Sequence, residues 1–162
     1  MTTVSTRDAA TGIRFTVERF ESVMPELPPL FYEHWLEVAL DKDRIALDPD
    51  FGRYVALDRA GVLAMQTVRR DGQLKGYFIS EVYPHLHYQK TLMAIQDIYY
   101  LHPNCRQGGI AAAFFRFVAA DLKLRGVKKQ LIMRKLHLDP RIGDLWERLG
   151  YRPDEVWYSK LL

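Results

Sequence analysis

The stretch from Thr91 to Arg134 constrains the fold more than any other part of the chain. Thr91 to Leu101 is a nearly continuous apolar run, as expected for a strand covered on both faces, and its only acid is Asp97. Pro103 stops it. Gly108 to Arg125 then puts Ile110, Phe114, Phe117, Val118 and Leu122 on one helical stripe, with Arg116, Asp121 and Lys123 off it, before Gly126 ends the helix. Val127 to Arg134 is strand-like again. Strand, helix and strand in that order predict a right-handed crossover between two parallel strands.

The remaining elements follow from local pattern. Ile13 to Phe20 alternates apolar and polar residues, the period of a half-buried strand. Behind Pro28-Pro29, Phe31, Trp35, Val38 and Ala39 recur at helical spacing, with Glu33 and Glu37 between them. Asp48-Pro49 reads as the cap of a short helix carrying Phe51, Tyr54 and Val55 and ending at Gly61. Val62 to Arg69 and Gln73 to Val82 flank Asp71-Gly72, a pair that tolerates the positive φ angles of a tight hairpin. Tyr83 to Gln89 reads as a loop rich in rings. Asp139-Pro140 opens a last helix with Ile142, Leu145, Trp146 and Leu149 on one stripe and Gly150 at its end, and Val156 to Leu162 reads as a final strand. The order β-α-α-β-β-β-α-β-α-β predicts a three-layer α/β fold: a mixed, mostly antiparallel central sheet with helices on both faces. Trp35, Trp157, Phe114, Phe115 and Phe117 are expected in its core.

Length and composition narrow the classes. At 162 residues the chain has room for one domain, read as 1–162. With 48% hydrophobic and 27% charged residues it has the composition of a soluble globular protein. A net charge of +3 suits an anionic ligand but falls short of the dense basic patch that nucleic acid demands. The single cysteine, Cys105, excludes an internal disulfide and fits a reducing compartment. Met1 to Arg14 lacks a signal-peptide pattern, and no run approaches the roughly 20 apolar residues of a membrane span, so a cytoplasmic protein is expected.

Chemistry concentrates between Asp97 and Ala111. A loop carrying Arg106, Gln107, Gly108 and Gly109 opens the long helix at Ile110. The first turn of a helix has unpaired N–H groups and partial positive charge, and glycine lets a phosphate approach the backbone, so this is an anion site. A Walker A loop would need Gly-Lys-Ser/Thr here, and a dinucleotide fold Gly-x-Gly-x-x-Gly after the first strand; neither is present.

Leu101-x-Pro103-x-x-Arg106-Gln107-Gly108-Gly109-Ile110-Ala111 resembles the pyrophosphate loop of the GNAT superfamily of N-acetyltransferases, Arg/Gln-x-x-Gly-x-Gly/Ala, with Arg106, Gly109 and Ala111 at its specified positions. Asp144-Leu-Trp-Glu-Arg-Leu-Gly-Tyr151 resembles that family's last helix, and Arg69 to Tyr77 its strand two to strand three junction. The resemblance covers residues 62 to 162, and the first 60 only by element order. It implies acetyl transfer from acetyl-CoA to a primary amine, with the cofactor between strands 91–101 and 127–134. Tyr99, Tyr100 and Leu101 would hydrogen-bond its pantetheine arm, and residues 106 to 111 would hold its pyrophosphate. Backbone N–H groups near the strand break would stabilise the oxyanion. The alternative within this fold is an acyl-CoA-binding module without catalysis.

The resemblance also orders the candidate residues. Asp97, an acid costly to bury without a partner or a task, is the candidate general base, against a structural ion-pair role. His137 would reach the thioester end, against a structural role. His85 and His87 border the acceptor side in such a fold and are candidate substrate contacts; with no cysteine and no third ligand nearby they make no metal site, and none is expected. Trp146 stands where the family often carries a proton-donating tyrosine, which leaves Tyr99, Tyr151, Tyr158 or water for that role. Cys105, three residues from His102, lacks an orienting third group and is not expected to be a nucleophile. Lys123, Arg125, Lys128 and Lys129 read as a solvated face that could meet the 3′-phosphate. The expected partner is a small-molecule or peptide amine; a homodimer is compatible with this reading.

Overall fold

Hairpins build most of the sheet in this computed structural model, which describes residues 5–8 and 11–162. Six strands lie side by side in chain order: β1 (Ser5–Asp8), β2 (Ile13–Val17), β3 (Leu63–Arg70), β4 (Gln73–His85), β5 (Tyr88–Leu101) and β6 (Lys129–Leu131). All neighbours are antiparallel except β5 and β6, the parallel pair that the crossover predicts. Helices α1 (Phe20–Val23), α2 (Leu27–Val38) and α3 (Phe51–Arg59) lie between β2 and β3; α4 (Ile110–Leu124) joins β5 to β6, and α5 (Arg141–Arg148) follows. The β3–β4 turn is the expected one: Asp71 and Gly72 take φ of 50° and 84°.

Strand alternation sends side chains into two cores. Leu63, Met65, Tyr77, Ile79 and Tyr100 pack with Phe20, Leu27 and Phe31 of α1 and α2, and α3 adds Phe51, Tyr54 and Val55. Ala64, Val68, Phe78, Ala94 and Leu101 pack instead with Ile110, Phe114, Phe115, Phe117 and Val118 of α4 and with Trp146 of α5. Helices therefore cover both faces of the sheet. None of them is long and apolar enough to cross a membrane, among the described residues.

Several expectations are corrected. Tyr83 to Gln89 is not a loop: β4 continues to His85, β5 starts at Tyr88, and Leu86 and His87 form the turn. Pro84 sits at a register shift between Pro84 and His85, where a missing N–H costs the ladder little. Val156 to Leu162 is no strand, and Trp157 is 68% exposed rather than in the core. Arg152-Pro153 interrupts the chain just before it, and no layer covers its apolar residues. The strand expected to reach Phe20 stops at Val17, because Phe20 turns into the helical core as the first residue of α1; β1 and α1 are additions to the expected order. The strand expected over 127–134 pairs only at 129–131. The cap of α3 is Asp50, which accepts from Arg53 N at 2.9 Å, rather than Asp48.

Asp121 lies off the apolar stripe of α4 by periodicity, yet it is buried. Two donors explain it: Gln66 Nε2 of β3 at 2.6 Å and Arg125 Nε one turn on at 2.8 Å. A buried carboxylate is retained when its hydrogen bonds and charge are matched, and removing it strands its partners. Asp121→Ala is expected to lower the unfolding free energy by about 2–4 kcal/mol in urea titration. An unchanged midpoint would show that the cluster does not tie α4 to the sheet.

Candidate active site

Two irregularities of β5 create the site. Ile79 pairs with Ile98 and the next pair is Ser80 with Gln96, so Asp97 is an extra residue without a partner on β4. Such a β-bulge re-aims side chains. Ala94 and Tyr99 pack on the α4 side of the sheet, whereas Ile98 packs on the α2–α3 side. Asp97 shares the Ile98 side, because its Oδ2 accepts a hydrogen bond from the Tyr54 hydroxyl of α3. Asp97 is exposed, not buried as expected.

The second irregularity is the short β5–β6 ladder, which pairs only Met93 with Lys129, Ala94 with Gln130 and Ile95 with Leu131. Beyond it the strands part. Met133 N meets the side-chain Oε1 of Gln96 at 3.3 Å instead of a β5 carbonyl, and residues 96–101 have no partner strand on that edge among the described residues.

At the far end of this gap the glycine loop has the features of an anion cradle. Gly108 and Gly109 take φ of 65° and 78°, and a Cβ on either would meet no protein atom within 4 Å. Ile110 N bonds to Gln107 O and Ala113 N to Gly109 O. The N–H groups of Gln107, Gly108, Gly109, Ala111 and Ala112 have no acceptor among the described residues. This arrangement fits a pyrophosphate. Arg106 is already engaged: its Nη atoms fork onto Glu37 of α2 at 2.8 and 2.6 Å, its Nε donates to Leu101 O at 2.7 Å, and its Cζ lies 5.7 Å from the Tyr100 ring centroid. Cys105 is buried, donates to Asn104 Oδ1, and has its thiol pKa pushed up by burial.

On the Asp97 side, a pocket of about 400 Å³ lies between α2, residues 39–49, α3 and the β4–β5 pair. Phe31, Trp35, Val38, Ile45, Leu47, Tyr54, Tyr77 and Ile98 line its walls; Asp97 is outside the lining and reaches it through the Tyr54 hydroxyl. Tyr54 stacks on Phe20 with centroids 4.7 Å apart, which fixes its hydroxyl toward Asp97. Burial, with the Asp97 hydrogen bond second, pushes the Tyr54 pKa up, so the phenol stays a donor. His34 Nδ1 is 2.9 Å from the Tyr77 hydroxyl and the ring stacks on Tyr100 at 5.3 Å. Burial pushes His34 down to about 4, leaving it neutral near pH 7.

The other candidates lie elsewhere. His85 and His87 sit at the β4–β5 turn with rings 5.4 Å apart, away from the pocket lining. His137 is exposed on the connection to α5, also outside the lining. Trp146 is 7% exposed and packs edge-on against Phe115 at 5.5 Å; its indole N–H has no partner among the described residues. Tyr99 is held against Phe115 in the same core, Tyr151 donates to Gln130 Oε1 at 2.7 Å with burial pushing it up to about 12, and Tyr158 is 94% exposed. Sequence reasoning missed His34, Tyr54 and Tyr77. His34 lies three residues after Phe31 on the α2 stripe, and a histidine in an apolar stripe is the signal that would have found it.

The architecture matches known structures. Ribosomal-protein-alanine N-acetyltransferase from Brucella melitensis biovar Abortus 2308 superposes with a TM-score of 0.68 over 93% of this chain and 99% of that one, at 19% identity. An aminoglycoside acetyltransferase from an uncultured soil metagenomic sample gives 0.73 over 93% and 98%, at 14% identity. The chain has the GNAT acetyltransferase fold. A predicted acetyltransferase with acetyl-CoA from Clostridium acetobutylicum gives 0.63 over 92% and 96%, at 14% identity. No family model matches the sequence, and no curated protein matches it significantly.

The pH dependence of stability checks the His34 environment. With the folded pKa below the free value of 6.5, the unfolded chain binds more protons between pH 6.5 and about 4, so this contribution is present above 6.5 and lost as pH falls. His34→Gln keeps an acceptor for Tyr77 but does not titrate. Its melting temperature is expected to fall less than that of the parent between pH 7 and 4.5; an equal fall would contradict the buried, neutral imidazole.

Proposed function

We propose that the protein is an N-acetyltransferase that moves an acetyl group from acetyl-CoA to a primary amine. One observation carries the reading. The strand that loses its partner beyond Ile95 leads to the glycine loop, and it bulges within that same stretch to turn Asp97 to the hydroxyl of Tyr54, a residue that lines a pocket. The fold shared with acetyltransferases, one of them with acetyl-CoA, supports it.

The roles follow from placement. The free N–H groups of residues 107–112 would hold the pyrophosphate, and the open backbone edge of Tyr99, Tyr100 and Leu101 would hydrogen-bond the amides of the pantetheine arm. Arg106, locked on Glu37, would set the loop against α2 and contribute charge only by exchanging that partner. Acetyl-CoA supplies the activated acyl group. Asp97 would take the proton of the acceptor amine, with Tyr54 orienting the carboxylate. Trp146 cannot give a proton to the leaving thiolate; a thiol with a reference pKa of about 8.5 leaves acceptably without one. We place the acceptor in the pocket rather than at His85 and His87, and leave His137 without a catalytic role. The unpaired Cys105 fits a reducing, cytoplasmic setting.

Binding and turnover test this separately. Acetyl-CoA at a hundredfold excess over Kd should stabilise the fold by about 2.7 kcal/mol, read as a rise in melting temperature, and Gly109→Trp should remove the rise. With an accepted amine, free thiol should appear above the hydrolytic background. Asp97→Asn should keep the thermal shift while lowering kcat/KM by roughly a hundredfold. A shift without thiol release for any amine would make the protein a binding module, the reading that the buried Trp146 favours. No shift would remove the donor assignment.

A further inference from the structure

We propose that the acceptor is a small primary amine with a single ammonium on an apolar body, an aryl- or alkylamine. This deepens the transferase reading and rests on it. The pocket lined by Tyr54, the hydrogen-bond partner of Asp97, holds about 400 Å³, within the range of ligand sites. Its wall sets the chemistry of its occupant. Phe31, Trp35, Val38, Ile45, Leu47 and Ile98 present carbon, and a hydroxyl or amide pressed against them would lose its water without gaining a partner.

The hydroxyl and imidazole groups of the lining are already committed. The Tyr54 hydroxyl is given to Asp97, and Tyr77 and His34 satisfy each other. Beyond them the lining offers a hydroxyl or amide chiefly the charged groups of Asp41, Asp48 and Lys135, so a polyhydroxylated or peptide-like acceptor would leave many of its polar atoms against carbon. Charge sorts the remainder. Among the lining residues, the carboxylates of Asp41 and Asp48 outnumber the one ammonium, Lys135, while His34 is neutral. The Asp97 carboxylate behind Tyr54 adds to that sign. The balance favours a cation over a zwitterion or an acid. The extent of apolar wall favours a body that is mostly carbon over polyamines and aminoglycosides, whose further amines and hydroxyls would be pressed against Phe31, Trp35, Val38 and Ile98. An apolar body seated among Phe31, Trp35 and Ile98 would present its nitrogen beside Tyr54 and Asp97, where the proton is taken.

The test compares acceptors with the full chain at saturating acetyl-CoA. The panel is 2-phenylethylamine and hexylamine against spermidine, sisomicin, phenylalanine and a short peptide with a free N-terminus. The apolar monoamines are expected to exceed every other acceptor in kcat/KM by about 30-fold or more, the range that apolar pockets reach. Preference for any polar acceptor would overturn the proposal and leave the transferase standing; no thiol release with the whole panel would overturn both. Ile45→Asp gives a second arm, since Ile45 is 58% exposed and its replacement should spare the fold. That variant should lose about tenfold in kcat/KM for 2-phenylethylamine while gaining for spermidine. Unchanged preferences in a folded Ile45→Asp protein would take the pocket out of acceptor recognition.

Discussion

The site depends on how β5 is paired. A central strand normally spends its backbone donors and acceptors on two neighbours. Here β5 keeps its β4 partner almost throughout but holds β6 for only three register pairs, after which one edge is open. Covering that edge with a longer β6 would satisfy the backbone and abolish the cleft. Gln96 marks the change, because its side chain meets Met133 N where the ladder ends. One residue later the bulge at Asp97 turns two consecutive side chains to the α2–α3 face. Open backbone and re-aimed acid therefore arise from the same few residues.

Other contacts hold the two sides of the site in register. The Arg106–Glu37 fork ties the glycine loop to α2, and α2 also supplies Phe31, His34 and Trp35 to the pocket. Tyr100 takes part in both ends of this tie: it lies beneath Arg106, stacks on His34 and donates to Glu33 at 3.1 Å. A charge pair this exposed adds little stability by itself. Its role is positional, and any anion that draws Arg106 from Glu37 would be felt at α2. On the opposite face, the Tyr99–Phe115–Trp146 ring contacts fix the first turn and a half of α4, whose N-terminus opens the loop.

How much of this the sequence disclosed follows from which interactions are local. The hairpin at Asp71-Gly72, the helix opened at Gly109 and the parallel crossover rest on turn chemistry and periodicity, and they were legible. Asp97 stood out because a lone acid in an apolar strand is visible without a structure; its bulge was not, since register is a property of two strands. The pocket was hidden for the same reason. Its wall comes from α2, the irregular segment 39–49 and α3, and only packing brings Ile45 and Leu47 to Tyr54 and Ile98. Burial of Asp121 is not visible in the sequence, because its partner Gln66 lies 55 residues away. Val156 to Leu162 has an apolar, strand-forming composition but pairs with no strand among the described residues.

Acetyl-CoA would engage the open edge of β5 and the free N–H groups of the loop. Backbone hydrogen exchange on the full chain, with and without acetyl-CoA, reads both directly. Saturating acetyl-CoA is expected to protect amides within residues 107–112 and 96–101 and to leave the β4–β5 turn at Leu86–His87 unchanged. Protection confined to other segments, with the loop and the open edge exchanging as before, would contradict that engagement.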